Sequence, residues 1–218
     1  MKTDSQLQKD IQDQLEWEAS IENAGQIGVT TKNGIVTLTG YVANYTEKMA
    51  AERVAKLIVG VKAIANDLEV RLLKFNERSD TDIATAAVYA LKWHAAITDE
   101  HIKVTVRNGQ ITLEGKVDWN YQREAACDAV RSLIGAKGLI NLLTIVPKVQ
   151  PGEVAGKIES AFKRSAEVDA RRVHVEAHDG TVVLSGKVTS WSERDEAERA
   201  AWSAPGVTKV ENHVTVGA

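Results

Sequence analysis

Apolar and polar positions follow one another along this chain in two rhythms that recur three times. Ile27, Val29 and Thr31 point one way, and after Asn33-Gly34 the same phase continues through Val36, Leu38 and Val42, with Gly40 in step. A period of two with polar residues between predicts strands with one buried face. Asn-Gly between two such runs predicts a tight hairpin, because both central turn positions need positive φ. The pattern returns as Ile102, Val104, Val106, then Ile111, Leu113, Val117 around Asn108-Gly109. It returns again as Val173, Val175, Ala177, then Val182, Leu184, Val188 around Asp179-Gly180.

A helical rhythm follows each hairpin. Ala51, Val54, Ala55, Ile58, then Ala126, Ala129, Val130, Leu133, then Ala197, Ala200, Ala201, Ala204 each lay an apolar stripe on one helix face. Asn44-Tyr-Thr-Glu47 and Ser190-Trp-Ser-Glu193 read as capping boxes. The middle helix has Trp119 at that position, with Asp118 or Asn120 as substitutes. Gly60, Gly135 and Gly206 predict left-handed helix ends. A last strand follows: Ile64, Asn66, Leu68, Val70, with counterparts at Leu139–Ile145 and Val210–Val216. An opening helix precedes each hairpin, on Leu7, Ile11, Leu15; Ile83, Ala87, Leu91; and Val154, Ile158, Phe162.

Offsets of 75 and 71 residues superpose these three stretches at widely spaced anchors. The chain is therefore a triplication, with units expected at residues 3–71, 79–147 and 150–217. The fold class is α+β: three tandem αββαβ units, each a three-stranded mixed sheet with two helices packed on one face. Gly34, Gly109 and Gly180 belong to the hairpin turns. Gly40, Gly115 and Gly186 fall where a side chain would enter the core, which predicts close approach of a helix or a bulge.

Composition narrows the function classes. Hydrophobic residues make up 44% and charged residues 26%, which excludes disordered, collagen-like and disulfide-framework chains. Net charge is −3, spread evenly, so no basic field for nucleic acid exists. No stretch is long and apolar enough for a transmembrane span. The start MKTDSQLQKDIQDQ has no apolar signal-peptide core, so cytoplasmic placement is expected. The alternative is a periplasmic protein whose signal sequence has been removed.

The order helix–hairpin–helix–strand, with G-x-V-x-L-x-G-x-V and then G-V-x-x-V-x-N, resembles the BON domain of bacterial osmotically inducible (OsmY-type) and nodulation proteins. The third unit carries the pattern most fully, in Asp179-Gly180, Val182, Leu184, Gly186, Val188, Glu193-Arg194, Gly206-Val207, Val210 and Asn212. The second departs from it at Gly135-Ala136 and Gly138. The resemblance implies a non-catalytic, OsmY-like stress protein of the cell envelope that binds phospholipid surfaces or envelope partners. A cytoplasmic interaction or oligomerising adaptor without lipid affinity is the alternative, and homo-oligomers fit either.

Superposing the units also tests each reactive residue against its equivalents. His174 and His178 lie four residues apart on a strand, about 13 Å, too far for one metal ion. His101, His94 and His213 have no clustered partners, so no metal site is expected. No phosphate-loop glycines are present, and no cofactor is expected. Cys127 takes the place of Glu52 and Glu198, which predicts an exposed thiol on a polar helix face. With no unique polar cluster, an enzyme is not expected.

The aromatic residues are more informative. Tyr45 and Trp191, with Trp119 and Tyr121 around the middle equivalent, put a ring at each second-helix tip. These rings either staple the tip and pack between units, or anchor a lipid or protein surface. Trp202 replaces Lys56 and Arg131 on an expected polar face, which suggests contact with another unit or another molecule. Lys48, Arg123 and Arg194 beside the rings would supply local positive charge for headgroups. Trp17 and Trp93 coincide and read as edge positions. Gly138–Val146 is apolar on both faces, which predicts that a neighbouring unit or second chain covers it and that Leu142→Asp lowers the melting temperature strongly. Apolar Leu72, Leu73 and Phe75 in the first linker, and the short PKVQPG in the second, predict close packing of the units.

Overall fold

A computed structural model of the chain describes residues 2–97, 102–146, 154–164 and 172–217. Six α-helices and three mixed sheets are present among them, as three tandem α–β–β–α–β copies. Copy 1 runs α1 (Asp4–Trp17), β1 (Ile27–Lys32), β2 (Ile35–Val42), α2 (Tyr45–Leu57), β3 (Ala63–Asn66) and β4 (Glu69–Val70). Copy 2 runs α3 (Asp80–Trp93), β5 (Ile102–Arg107), β6 (Gln110–Val117), α4 (Asn120–Arg131) and β7 (Gly138–Ile145). Copy 3 runs α5 (Val154–Arg164), β8 (Val173–His178), β9 (Thr181–Val188), α6 (Trp191–Trp202) and β10 (Lys209–Val216). The chain gathers into two compact bodies, Met1–Gly115 with Ala125–Leu142, and Lys116–Glu124 with Leu143–Ala218. Copy 2 therefore contributes to both.

Each hairpin pairs antiparallel, and the second strand sits at the centre of its sheet. The last strand joins parallel to the second in copies 1 and 3. In copy 1 it is broken into β3 and β4, with Leu68 drawn into the core between them. One face of each sheet is buried as the period of two requires. Val36, Leu38 and Val42 are buried, as are Leu7, Ile11 and Leu15 of α1 and Ala51, Val54 and Ala55 of α2. Copy 3 repeats this with Val182, Leu184 and Val188 under Ile158, Phe162, Ala197 and Ala201. Each such Leu, Ile or Phe stabilises its copy by about 1.5–3 kcal/mol through burial alone.

The turns adopt the positive φ that Asn-Gly and Asp-Gly permit, 54° and 80° at Asn33-Gly34 and 48° and 80° at Asp179-Gly180. A staple from the opening helix holds two of them. Asp4 accepts from the amides of Asn33 (2.8 Å) and Gly34 (3.1 Å), and Asp80 from those of Asn108 (2.7 Å) and Gly109 (2.8 Å). Hydrogen bonds from Asn33, then Gly34, hold the Asp4 carboxyl below its usual range.

The in-phase glycines answer the question left open between a helix and a bulge. A Cβ on Gly40 would lie 2.1 Å from the Gln26 carbonyl oxygen, and one on Gly186 would lie 2.0 Å from that of Arg172. The close approach is by backbone entering the neighbouring strand, not by a helix.

Candidate functional site

The second-helix tip is built by one buried polar residue in each copy. Asn44 and Ser190 cap α2 and α6, accepting from the amides of Glu47 (2.8 Å) and Glu193 (3.1 Å). Glu193 reaches back to the Thr189 amide at 2.9 Å, and Glu47 accepts from the Asn44 side chain at 2.7 Å. Copy 2 has no such side-chain cap from Trp119. Instead Gln122 accepts from the amides of Asp118 (2.9 Å) and Trp119 (3.1 Å). Glu47, Gln122 and Glu193 are the buried charged or polar residues among the described ones. Burial pushes the Glu47 carboxyl above its usual range. Each tip loop is thus closed on itself, and the residues after the caps, Tyr45 and Trp191, are half-buried.

The basic group directly after the buried polar residue has a structural role in two copies. Lys48 Nζ donates to the Leu68 carbonyl at 2.7 Å. Arg194 donates to the carbonyls of Val214 (3.1 Å) and Asn212 (3.2 Å) and lies 5.2 Å from the centroid of the Trp191 ring. Both side chains therefore tie the tip to the last strand of their own copy. Arg123 behaves differently: its guanidinium carbon lies 4.3 Å from the ring centroid of Trp202, in copy 3. Its Nε is buried and has no hydrogen-bond partner, as is Asn120 Oδ1.

The other body holds an equivalent contact. Tyr45, at the tip of copy 1, is half-buried against copy 2. Burial raises its hydroxyl above the usual range, opposed by the charge of Arg131 and by hydrogen bonding with the Leu139 backbone. A hollow of ≈ 310 Å³ there is lined by Asn44, Tyr45 and Thr46 on one side and by residues 131–136 on the other. Arg131 and Trp202 are equivalent positions. Tip on helix end is therefore the contact between successive copies in both bodies.

A helix–hairpin–helix–strand unit in triplicate, joined by one repeated contact, asks for a family that is itself modular. The BON-domain family model matches residues 3–71, 79–147 and 152–218. The chain belongs to the BON-domain family. It is 28% identical over 141 residues to the outer membrane lipoprotein DolP of Haemophilus influenzae, covering 64% of this chain and 72% of that protein. It is 30% identical over 119 residues to osmotically-inducible protein Y of Escherichia coli, covering 53% of this chain and 59% of that protein. It is 26% identical over 145 residues to the 21 kDa hemolysin of Actinobacillus pleuropneumoniae, covering 66% and 74%. Among solved structures, CdsD of the Chlamydia trachomatis type III secretion system aligns over 96% of this chain and 91% of its own. At 16% identity and a TM-score of 0.27 that alignment carries no argument.

Two expectations need correction within the BON copies. Cys127 is 4% exposed, not on an open polar face. In copies 1 and 3 the equivalent carboxylates of Glu52 and Glu198 accept from Asn66 (3.2 Å) and Asn212 (2.9 Å), so this helix face is covered by the last strand. Trp202 is half-buried on the copy 3 core, and Arg123 of copy 2 lies over its ring, a contact with another unit as its replacement of Lys56 and Arg131 suggested. The outer face of β7 is open to solvent among the described residues. Leu142 is 53% exposed, and Ile140 and Val146 are exposed beside it.

Leu73 and Phe75 of the first linker are exposed as well, while PKVQPG and His101 lie outside the described residues. His174, His178 and His213 are on the surface, and no group of three or more metal-binding side chains occurs among the described residues. Trp119 and Trp191 are half-buried, and Tyr121 is exposed. The most exposed rings among the described residues are the pair read only as edge positions. Trp17 and Trp93 close α1 and α3 at equivalent positions, each 83% exposed. Their coincidence in the repeat register was the available signal. No described helix is long and apolar enough to cross a membrane.

Proposed function

We propose that this BON protein is a non-catalytic binding protein of the bacterial envelope, serving in osmotic or envelope stress, that settles on phospholipid surfaces. The observation that carries the reading is the pair Trp17 and Trp93, two indoles held almost wholly in water at the same place in consecutive copies. An indole has an apolar body and one N–H donor, which suits the headgroup boundary and suits water poorly. Tyr121 adds an exposed ring, and Trp191 with Arg194 adds a half-buried one. Net charge of −3 makes long-range attraction to anionic lipid weak, so insertion of rings supplies most of the binding. The names of the relatives, an outer membrane lipoprotein and an osmotically inducible protein, favour the periplasmic alternative over the cytoplasmic expectation.

Co-sedimentation with neutral and anionic vesicles tests this directly. Binding to both is expected, with a blue shift of tryptophan emission. Trp17→Ala with Trp93→Ala should weaken it at least tenfold, and Trp191→Ala less. Absence of binding to either vesicle type would overturn the lipid reading. The adaptor reading would then stand, favoured by the open apolar face of Ile140, Leu142 and Val146.

A further inference from the structure

The two exposed indoles occupy equivalent places but stand in different surroundings. Trp17 lines a hollow of ≈ 450 Å³ with Lys2, Asp10, Asp13 and Ile58. In the register that aligns Leu7 with Ile83 and Trp17 with Trp93, the acids Asp10 and Asp13 become Ala86 and Tyr89, while Lys2 becomes Arg78. Copy 3, aligned through Val154, has Lys157 and Ser160 at the acid positions and Arg164 in place of the tryptophan. Two copies thus build the same opening helix without these acids, so the fold does not require them.

The hollow presents charge of both signs beside an aromatic ring. Lys2 Nζ and the Asp10 carboxylate pair at 2.6 Å, with 42% and 38% of their side chains exposed. One lysine against two aspartates leaves the hollow one negative charge, next to an indole that is 83% exposed. A cation is drawn to the face of an indole by the ring quadrupole and to a carboxylate by its charge. An aliphatic rim completes the surface: Ile58 lines the hollow, and its chain neighbours Leu57 and Val59 are 56% and 64% exposed. An ammonium, a phosphate and an acyl chain joined in one molecule match these parts.

Building on the phospholipid reading above, on which this step rests, we propose that the Trp17 hollow takes the ammonium-phosphate headgroup of a zwitterionic phospholipid. The ammonium lies against Asp13 and the indole, the phosphate at Lys2, and Leu57 and Val59 enter the acyl boundary. A headgroup without the ammonium brings its phosphate uncompensated to Asp10 and Asp13, so anionic lipid is held less well here. Trp93, with Ala86 and Tyr89 in place of the acids, carries no such preference.

Vesicles of three kinds in about 0.15 M salt separate the causes. Phosphatidylcholine is zwitterionic, phosphatidylglycerol is anionic, and a diglucosyl glycerolipid carries no charge at all. The full chain should bind phosphatidylcholine about two- to fivefold more tightly than either of the others, the ratio that a cation on a surface ring supplies. Asp13→Asn, at an exposed position, should lower phosphatidylcholine affinity to the glycolipid level and leave glycolipid binding unchanged. Trp17→Leu keeps an apolar side chain and should likewise abolish the ratio. Free phosphocholine at about 1 mM should not displace the protein from vesicles, because it has no acyl chain for the aliphatic rim. Equal affinity for all three vesicles, or a ratio that Asp13→Asn does not lower, would overturn the headgroup assignment and leave the lipid reading standing. Displacement by free phosphocholine would make the hollow a site for a small solute and would overturn the lipid headgroup as its occupant. No binding to any vesicle would overturn both readings.

Discussion

The contact of Arg123 with Trp202 can be dissected by a double-mutant cycle with Arg123→Met and Trp202→Leu. The guanidinium lies 4.3 Å from the ring centroid, its side chain is 20% exposed, and the ring is half-buried. A cation over a ring gains about 0.5–1 kcal/mol at the surface and about 2 kcal/mol when desolvated, so this partly covered pair should couple by about 1–1.5 kcal/mol. The single changes should differ in an informative way. Trp202→Leu also removes packing on the copy 3 core and should cost about 2–3 kcal/mol in all. Arg123→Met should cost less than the coupling alone. It removes the buried Nε that has no hydrogen-bond partner, and leaving such a group unpaired costs about 1–3 kcal/mol. Urea unfolding followed by far-ultraviolet circular dichroism would measure all four corners. A coupling below about 0.3 kcal/mol, the scatter of independent sites, would refute a direct interaction and with it the contact between copies 2 and 3.

Gly186→Ala should destabilise copy 3 by at least about 2 kcal/mol, because φ is 128° and the added Cβ would meet the Arg172 carbonyl at 2.0 Å. Calorimetry should show the loss as an earlier transition, and an unchanged thermogram would remove the close-approach argument. Leu142→Asp should shift stability by no more than about 0.5 kcal/mol, since its side chain is already in water. A large loss at low protein concentration would mean that something covers β7 after all. Asp4→Asn should flatten the acid limb of the stability curve. The folded carboxyl titrates below its unfolded value of 3.8, so its contribution is present above that value and disappears as pH falls through the lowered one. Denaturation midpoints between about pH 5 and pH 2 would show this, and parallel limbs would count against the staple.

The architecture was legible because alternation, hairpin turns and capping pairs pointed to one answer three times over. Leu7, Ile11 and Leu15, spaced for one helix face, are buried with Val36, Leu38 and Val42, spaced for one strand face. The site was less legible, because burial at the rim of a small unit depends on what the next element covers. Cys127 occupies a position polar in both sister copies, yet that helix face lies under the last strand. Leu142 looked like core by residue type, although nothing among the described residues lies over it. Asp4 and Asp80 lie in the first turns of α1 and α3. Their grip on turns nearly thirty residues away is a matter of three-dimensional placement that no local pattern encodes.

That grip has a consequence for how the protein is made. The side-chain tethers that close copy 1 span 27 residues from Asp4 to Thr31 and 30 from Asp4 to Gly34. Those of copy 3 span 28 residues from Gly180 to Thr208 and 29 from Gly186 to Thr215. Loops of this size are entropically cheap to close, and contacts this local favour fast folding. A nascent chain can therefore complete its first BON copy before the second has left the ribosome. Synthesis then supplies each finished copy with a formed neighbour on which its own helix end can settle.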